Sequence, residues 1–138
     1  MEQLIEFIIN HPMLTGSFAV LLAMLAFTEM RKGGQSISTQ ELTQMMNAGG
    51  ATLVDLRDKK EYSRGFITSA INIPHVSLKT RMDELEKHKS GTIILVDAMG
   101  QHTGAAGKQL KDAGFEQVVR LSGGISSWQG ESLPLVKK

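Results

Sequence analysis

Thr92–Val96 reads Thr-Ile-Ile-Leu-Val, a β-branched, apolar run with no polar alternation, followed by a glycine-bearing loop and then a helical pattern. A strand that is apolar on both sides must be covered on both sides, which is the environment of a parallel sheet between two helical layers. The flanking segments fit that demand. Thr52–Leu56 and Val118–Leu121 are further short apolar runs, and Ala70–Ile73 is another, closed by Pro74. Between them lie helix signals. Ser38 with Glu41 is a capping box opening a helix through Leu42, Met45 and Met46 that stops at Gly49-Gly50. Ser77 is placed to cap a helix whose Leu78, Met82 and Leu85 share one face, and Thr103 to cap one running through Ala106 and Leu110 to Gly114. Ser122-Gly123-Gly124 turns into a short helix carrying Trp128. The expected fold class is α/β, a parallel sheet with helices on both faces.

The first third of the chain has a different composition. From Phe7 to Thr28 there is no Asp, Glu, Lys or Arg, and the stretch centres on Gly16–Phe27. A helix needs roughly 20 apolar residues to cross a bilayer core, and residues 7–28 reach that length despite His11 and Pro12 near the start. A cleavable signal peptide calls for a basic N-terminus, whereas Glu2 and Glu6 stand here. A buried soluble helix calls for a polar stripe, and Met13–Phe27 has none. The residues fit best with one N-terminal transmembrane helix. Arg31 and Lys32 follow it, which by the positive-inside rule places the C-terminal domain in the cytoplasm, at the inner (plasma) membrane. Residues 1–35 are then anchor and linker, with Lys32-Gly33-Gly34-Gln35-Ser36 as a flexible hinge. Residues 36–138 form the domain.

Length and composition narrow the chemistry. The 138 residues suffice for one ordinary domain. A net charge of +1 supplies no field for nucleic acid. No cysteine is present, which removes disulfides, thiolate metal sites and persulfide intermediates together. The four histidines show no ligand-like spacing, so neither a metal nor a cofactor is expected.

Open parallel sheets bind ligands beyond the carboxyl ends of their strands, which singles out the loop after Val96. It comprises Asp97, Ala98, Met99, Gly100, Gln101, His102 and Thr103. A glycine-bearing loop entering a helix N-terminus turns its amides inward and forms an anion cradle. Asp97 is expected to fill that cradle itself, its carboxylate satisfied by loop N–H groups. The competing reading makes Asp97 a nucleophile, which calls for a magnesium site with further carboxylates. His102 and His75 are read as solvated or structural, and Trp128 as core packing.

The order of motifs around this loop carries a resemblance. Leu53-Val54-Asp55-Leu56-Arg57-Asp58, then Glu61-Tyr62, Gly65, Ile67, Ala70 and Asn72-Ile73-Pro74, resembles the N-terminal signature of the rhodanese-like (sulfurtransferase) family. Ala113-Gly114-Phe115, Leu121, Gly123-Gly124-Ile125, Trp128 and Leu133-Pro134 resemble its C-terminal half. The resemblance covers roughly residues 36–136 and implies the rhodanese-like fold. It also implies that Asp55, Arg57 and Glu61 support the fold. In that family the loop starts with a cysteine, has a glycine three residues on, then an arginine followed by serine or threonine. Those positions fall on Asp97, Gly100, His102 and Thr103, so the nucleophile and the arginine are absent. Phe66 stands where the family usually has histidine, and Ser69 where it usually has glycine.

Sulfur transfer needs a thiolate that attacks a sulfane sulfur and carries it as a persulfide, and a carboxylate does not replace it. The sequence therefore leads to a catalytically inactive module, tethered by residues 7–28 and acting on membrane or membrane-associated proteins. The alternative is an enzyme of changed chemistry built on Asp97 and His102.

Overall fold

In the computed structural model, residues 1–32 and 34–137 are described. The chain divides into two compact units, Met1–Arg31 and Lys32–Lys138.

The first unit is two helices, α1 (Glu2–Asn10) and α2 (Pro12–Lys32), bent 98° to one another. The break falls at His11, whose φ of −128° and ψ of 62° leave the helical region as expected for a residue preceding proline. Its N–H still closes α1 on the Phe7 carbonyl at 3.1 Å, and its ring lies 4.7 Å from that of Phe7. Pro12 then serves as the first residue of α2, where its missing N–H costs nothing. The continuous helix expected over residues 7–28 is thus interrupted. Among the described residues no single helix is long and apolar enough to cross a membrane, although the bent pair passes that test together.

The second unit is a five-stranded, all-parallel sheet in the order β1-β5-β4-β2-β3. The strands are β1 (Gln35–Ile37), β2 (Ala51–Asp55), β3 (Ile71–Asn72), β4 (Thr92–Val96) and β5 (Gln117–Leu121). Successive side chains on each strand feed opposite faces, as the β pleat requires. Leu53, Ile94, Val96 and Leu121 pack with Leu42 of α3 (Thr39–Ala48), Tyr62 of α4 (Lys59–Arg64), and Ile125 and Trp128 of α7 (Gly124–Gly130). Val54, Ile93, Leu95 and Val118 pack on the other side with Leu78 of α5 (Leu78–Arg81), Leu85, and Ala106 and Leu110 of α6 (Thr103–Asp112). Ile93 through Val96 have no exposed surface, each contributing about 1.5–3 kcal/mol of burial. The parallel sheet covered on both faces is the architecture expected from Thr92–Val96.

Several local expectations change. Gln35 and Ser36, expected in a flexible hinge, are strand residues paired with Val119 and Arg120. Gly33 of that hinge lies outside the described residues. The helix expected from Ser77 is one α turn, Leu78–Arg81, continued by a 3₁₀ segment, Met82–His88, and the Ser77 side chain makes no capping bond. His102, not Thr103, occupies the cap position of α6. Ser38 does cap α3, accepting from the Glu41 N–H at 3.1 Å. Trp128 packs as expected and donates from Nε1 to the Pro134 carbonyl at 2.9 Å.

The carboxyl edge of β2 is held by a buried ion pair. Asp55 is fully buried, and Arg57 grips its carboxylate through Nε and Nη2 at 2.8–3.1 Å while also donating to the Gly65 carbonyl at 2.7 Å. Asn72 Nδ2 donates to the Asp55 and Arg57 carbonyls at 3.2 and 2.9 Å, fixing β3 beside the same turn. Glu61 remains exposed on α4. Tyr62 donates its hydroxyl to the Ala70 carbonyl at 2.7 Å, and burial, followed by the nearby Asp55 charge, holds its phenol above the usual pKa of 10.0. Removing one partner of a buried pair strands the other. Asp55→Ala is expected to lower unfolding free energy by about 3–5 kcal/mol in urea titrations, leaving Arg57 without its counter-ion.

Candidate functional site

The loop from Asp97 to His102 lies where the central strand β4 and its neighbour β2 end side by side, with Asp55 paired to Val96. Asp97 is only 2% exposed. Its Oδ1 accepts from the Gly100 N–H, and its Oδ2 accepts from the His102 N–H at 2.6 Å. The carboxylate thus sits inside the turn that its own loop makes, and the amides that form an anion cradle are spent on it. Gly100 is needed there, since its φ of +89° belongs to the left-handed region that side-chain-bearing residues rarely enter. Thr103 donates Oγ1 to the Gly100 carbonyl at 3.3 Å and tightens the turn from the helix side.

The loop is clamped from outside by α7. The Asp97 carbonyl accepts from the Ile125 N–H at 2.8 Å, and the Ala98 carbonyl accepts from the Ser126 N–H at 3.0 Å. Gly124 makes this approach feasible. A Cβ there would collide with the Asp97 carbonyl, and its φ of +60° is a second reason for glycine. Ala98 and Met99 at the loop's outer side are exposed, as is Gln101.

His102 stacks on His75, their rings 3.9 Å apart and 5° from parallel. The two come from loops that follow different strands, 27 positions apart, and sequence spacing carries no signal of their meeting. Arg120 is the other residue that sequence reading passed over. It stands on β5 with its Nε buried and without a hydrogen-bond partner, close enough to Gly104 of α6 that a Cβ there would lie 3.0 Å from Nη1. Among the described residues no group of three or more His, Asp or Glu is placed to hold a metal ion, so the magnesium site that a nucleophilic Asp97 calls for has no ligand set there.

The family model described as Rhodanese-like domain matches residues 38–131. The chain belongs to the rhodanese-like family. YibN of Escherichia coli K12, described as an uncharacterized protein, is 35% identical over 141 residues, covering 99% of each chain. A sulfurtransferase of Allochromatium vinosum is 29% identical over 101 residues, 72% of this chain and 92% of that one. A rhodanese-related protein from Thermoplasma volcanium has a crystal structure that superposes with a TM-score of 0.68 at 30% identity, covering 76% of this chain and 100% of its own.

Within the rhodanese-like frame the departures acquire geometry. The cysteine position is held by Asp97, folded back onto the loop. The arginine position is held by His102, whose ring lies against His75. Ser69, at a position the family usually gives to glycine, has a φ of +71°, so the backbone retains the glycine conformation at a cost of about 1–2 kcal/mol for a residue with a Cβ. Phe66, at a position usually histidine, is buried and stacks on Tyr62 at 4.2 Å. The chain is a rhodanese-like domain without the thiol of sulfur transfer.

Loss of the carboxylate leaves the Gly100 and His102 amides without an acceptor. Asp97→Ala is expected to cost about 1–3 kcal/mol in urea unfolding, and Asp97→Asn, which keeps one carbonyl acceptor, less. The emptied cradle should then take an anion, so thiosulfate or phosphate should raise the melting temperature of Asp97→Ala and leave that of the parent chain unchanged.

Proposed function

We propose that this protein is a non-catalytic rhodanese-like module, tethered to the cytoplasmic face of a membrane and working through contacts with membrane or membrane-associated proteins. The observation that carries the non-catalytic part is the Asp97 carboxylate on the Gly100 and His102 amides. A negative charge held in the cradle repels thiosulfate, and no thiolate is available to attack it. Replacement of the rim arginine by histidine removes a permanent forked cation as well.

One observation supports the contact part. In the sheet unit, Val76 and Met99 are large apolar side chains left 76% and 63% exposed; Val76 follows His75 of the His75–His102 stack directly, and Met99 lies three positions before His102. The membrane part rests on the charge-free residues 7–28, with Arg31 and Lys32 after them and only acids before. The alignment with YibN covers 99% of this chain and so includes this segment.

Residues 36–138 should show no thiosulfate-to-cyanide sulfur transfer above buffer, and turnover there overturns the non-catalytic reading. The double variant Asp97→Cys, His102→Arg should recover measurable transfer, because the clamp from α7 runs through backbone groups alone and a thiolate can accept from the same loop amides; a folded but inert variant means that the scaffold itself has changed. For the anchor, the full chain should pellet with membranes in carbonate washes and residues 35–138 should not. Recovery of the full chain in the soluble fraction removes the membrane reading.

A further inference from the structure

The break at His11 divides the apolar segment unequally. From Pro12 to Phe27 there are sixteen residues of apolar helix, about 24 Å at 1.5 Å per residue, against a hydrocarbon core of about 30 Å. Alone, that length falls short. The nine residues of α1 are of another type. At about 100° per residue, Glu2, Gln3, Glu6 and Asn10 gather on one narrow arc, and Leu4, Ile5, Phe7, Ile8 and Ile9 occupy the rest of the circumference. No residue of α1 is buried, so its whole apolar face is uncovered.

We infer that α1 lies flat in the membrane interface, its Leu4, Ile5, Ile8 and Ile9 face in the acyl boundary and Glu2 and Glu6 toward water, while α2 descends into the bilayer. This rests on the membrane-anchor reading and adds to it a second, in-plane element with lipid as the occupant of the α1 face. Three features favour lipid. The bend of 98° is the angle between a helix in the membrane plane and one along its normal. Only Asn10 and His11 separate the last apolar residue of α1, Ile9, from the apolar α2. An interfacial helix sits about 5–10 Å into the headgroup and acyl boundary, which supplies the thickness that the apolar part of α2 lacks. With two acids and no Lys or Arg in α1, its attachment depends on apolar burial and not on anionic lipid.

The absence of cysteine makes the test clean, since any introduced cysteine is unique. Full-length chains carrying Gln3→Cys, Ile5→Cys, Glu6→Cys, Ile8→Cys or Leu21→Cys are spin-labelled and placed in phosphatidylcholine vesicles. Collision with oxygen and with a water-soluble nickel chelate is then measured at each site. The expected result is an oxygen-to-nickel accessibility ratio several-fold higher at positions 5 and 8 than at 3 and 6, with Leu21 higher still. Nickel access at Leu21 overturns the anchor reading itself. Lipid exposure at Leu21 with uniform nickel access at 3, 5, 6 and 8 overturns the in-plane helix alone. Shielding of 5 and 8 from both reagents identifies a protein partner on that face and likewise overturns lipid as its occupant.

Discussion

A carboxylate buried at the end of a strand must be given hydrogen-bond donors, and here they come from the turn that follows. The adjacent interior strands β2 and β4 each solve that requirement at neighbouring positions on one edge. Asp55 takes the Arg57 N–H at 3.0 Å and the Arg57 guanidinium. Asp97 takes the amides of Gly100 and His102. Each aspartate thereby fixes the path of its own loop, and the neighbouring elements are built around the result. Asn72 locks β3 to the first turn, and the start of α7 locks onto the second through Ile125 and Ser126. At the edge where open parallel sheets present their ligand sites, loop amides are here taken by the chain's own carboxylates.

The elements that could be read from sequence are those whose signal is local and strong. Ser38 and Glu41 announced α3, and the unbroken apolarity of Thr92–Val96 required a strand covered on both faces. Asp97 in its cradle was legible from chemistry alone, because a loop of inward amides and a carboxylate at its root leave little else to form. Signals were missed where pairing, not composition, decides. Gln35–Ile37 is a three-residue edge strand with one buried side chain, and its polar residues resemble a linker until β5 is beside them. At i, i+4 and i+7, Leu78, Met82 and Leu85 share a face in an α-helix, and nothing in that spacing announces the 3₁₀ segment that takes over at Met82. His75 and His102 meet only because the sheet topology brings their loops together.

The N-terminal unit shows how one dihedral restriction outweighs a composition. Residues 7–28 are free of charge throughout, and hydropathy alone makes them one span. Pro12 excludes the helical region for His11, and the helix turns sharply at that peptide. The apolar content is unchanged, but it is distributed over two directions, one helix amphipathic and the other apolar on all sides. A membrane reading of this chain therefore has to account for both directions.

An aspartate at the loop position that the family gives to cysteine supplies an acceptor for the loop amides and no thiolate. A thiolate or a bound anion accepts from the inward amides in an active loop of this kind, and an alanine would leave them unpaired. An aspartate supplies the acceptor from within, so the loop keeps its turn with no ligand present. The loop's outer side carries exposed Ala98, Met99 and Gln101, and Val76, which follows the His75 that stacks on His102, is exposed as well. Methionine is adaptable in contact because its unbranched side chain repacks at little cost. On the proposed reading, recognition has moved a few ångströms outward, from an anion held by backbone amides to a protein surface meeting an apolar rim whose backbone is held rigid by Asp97.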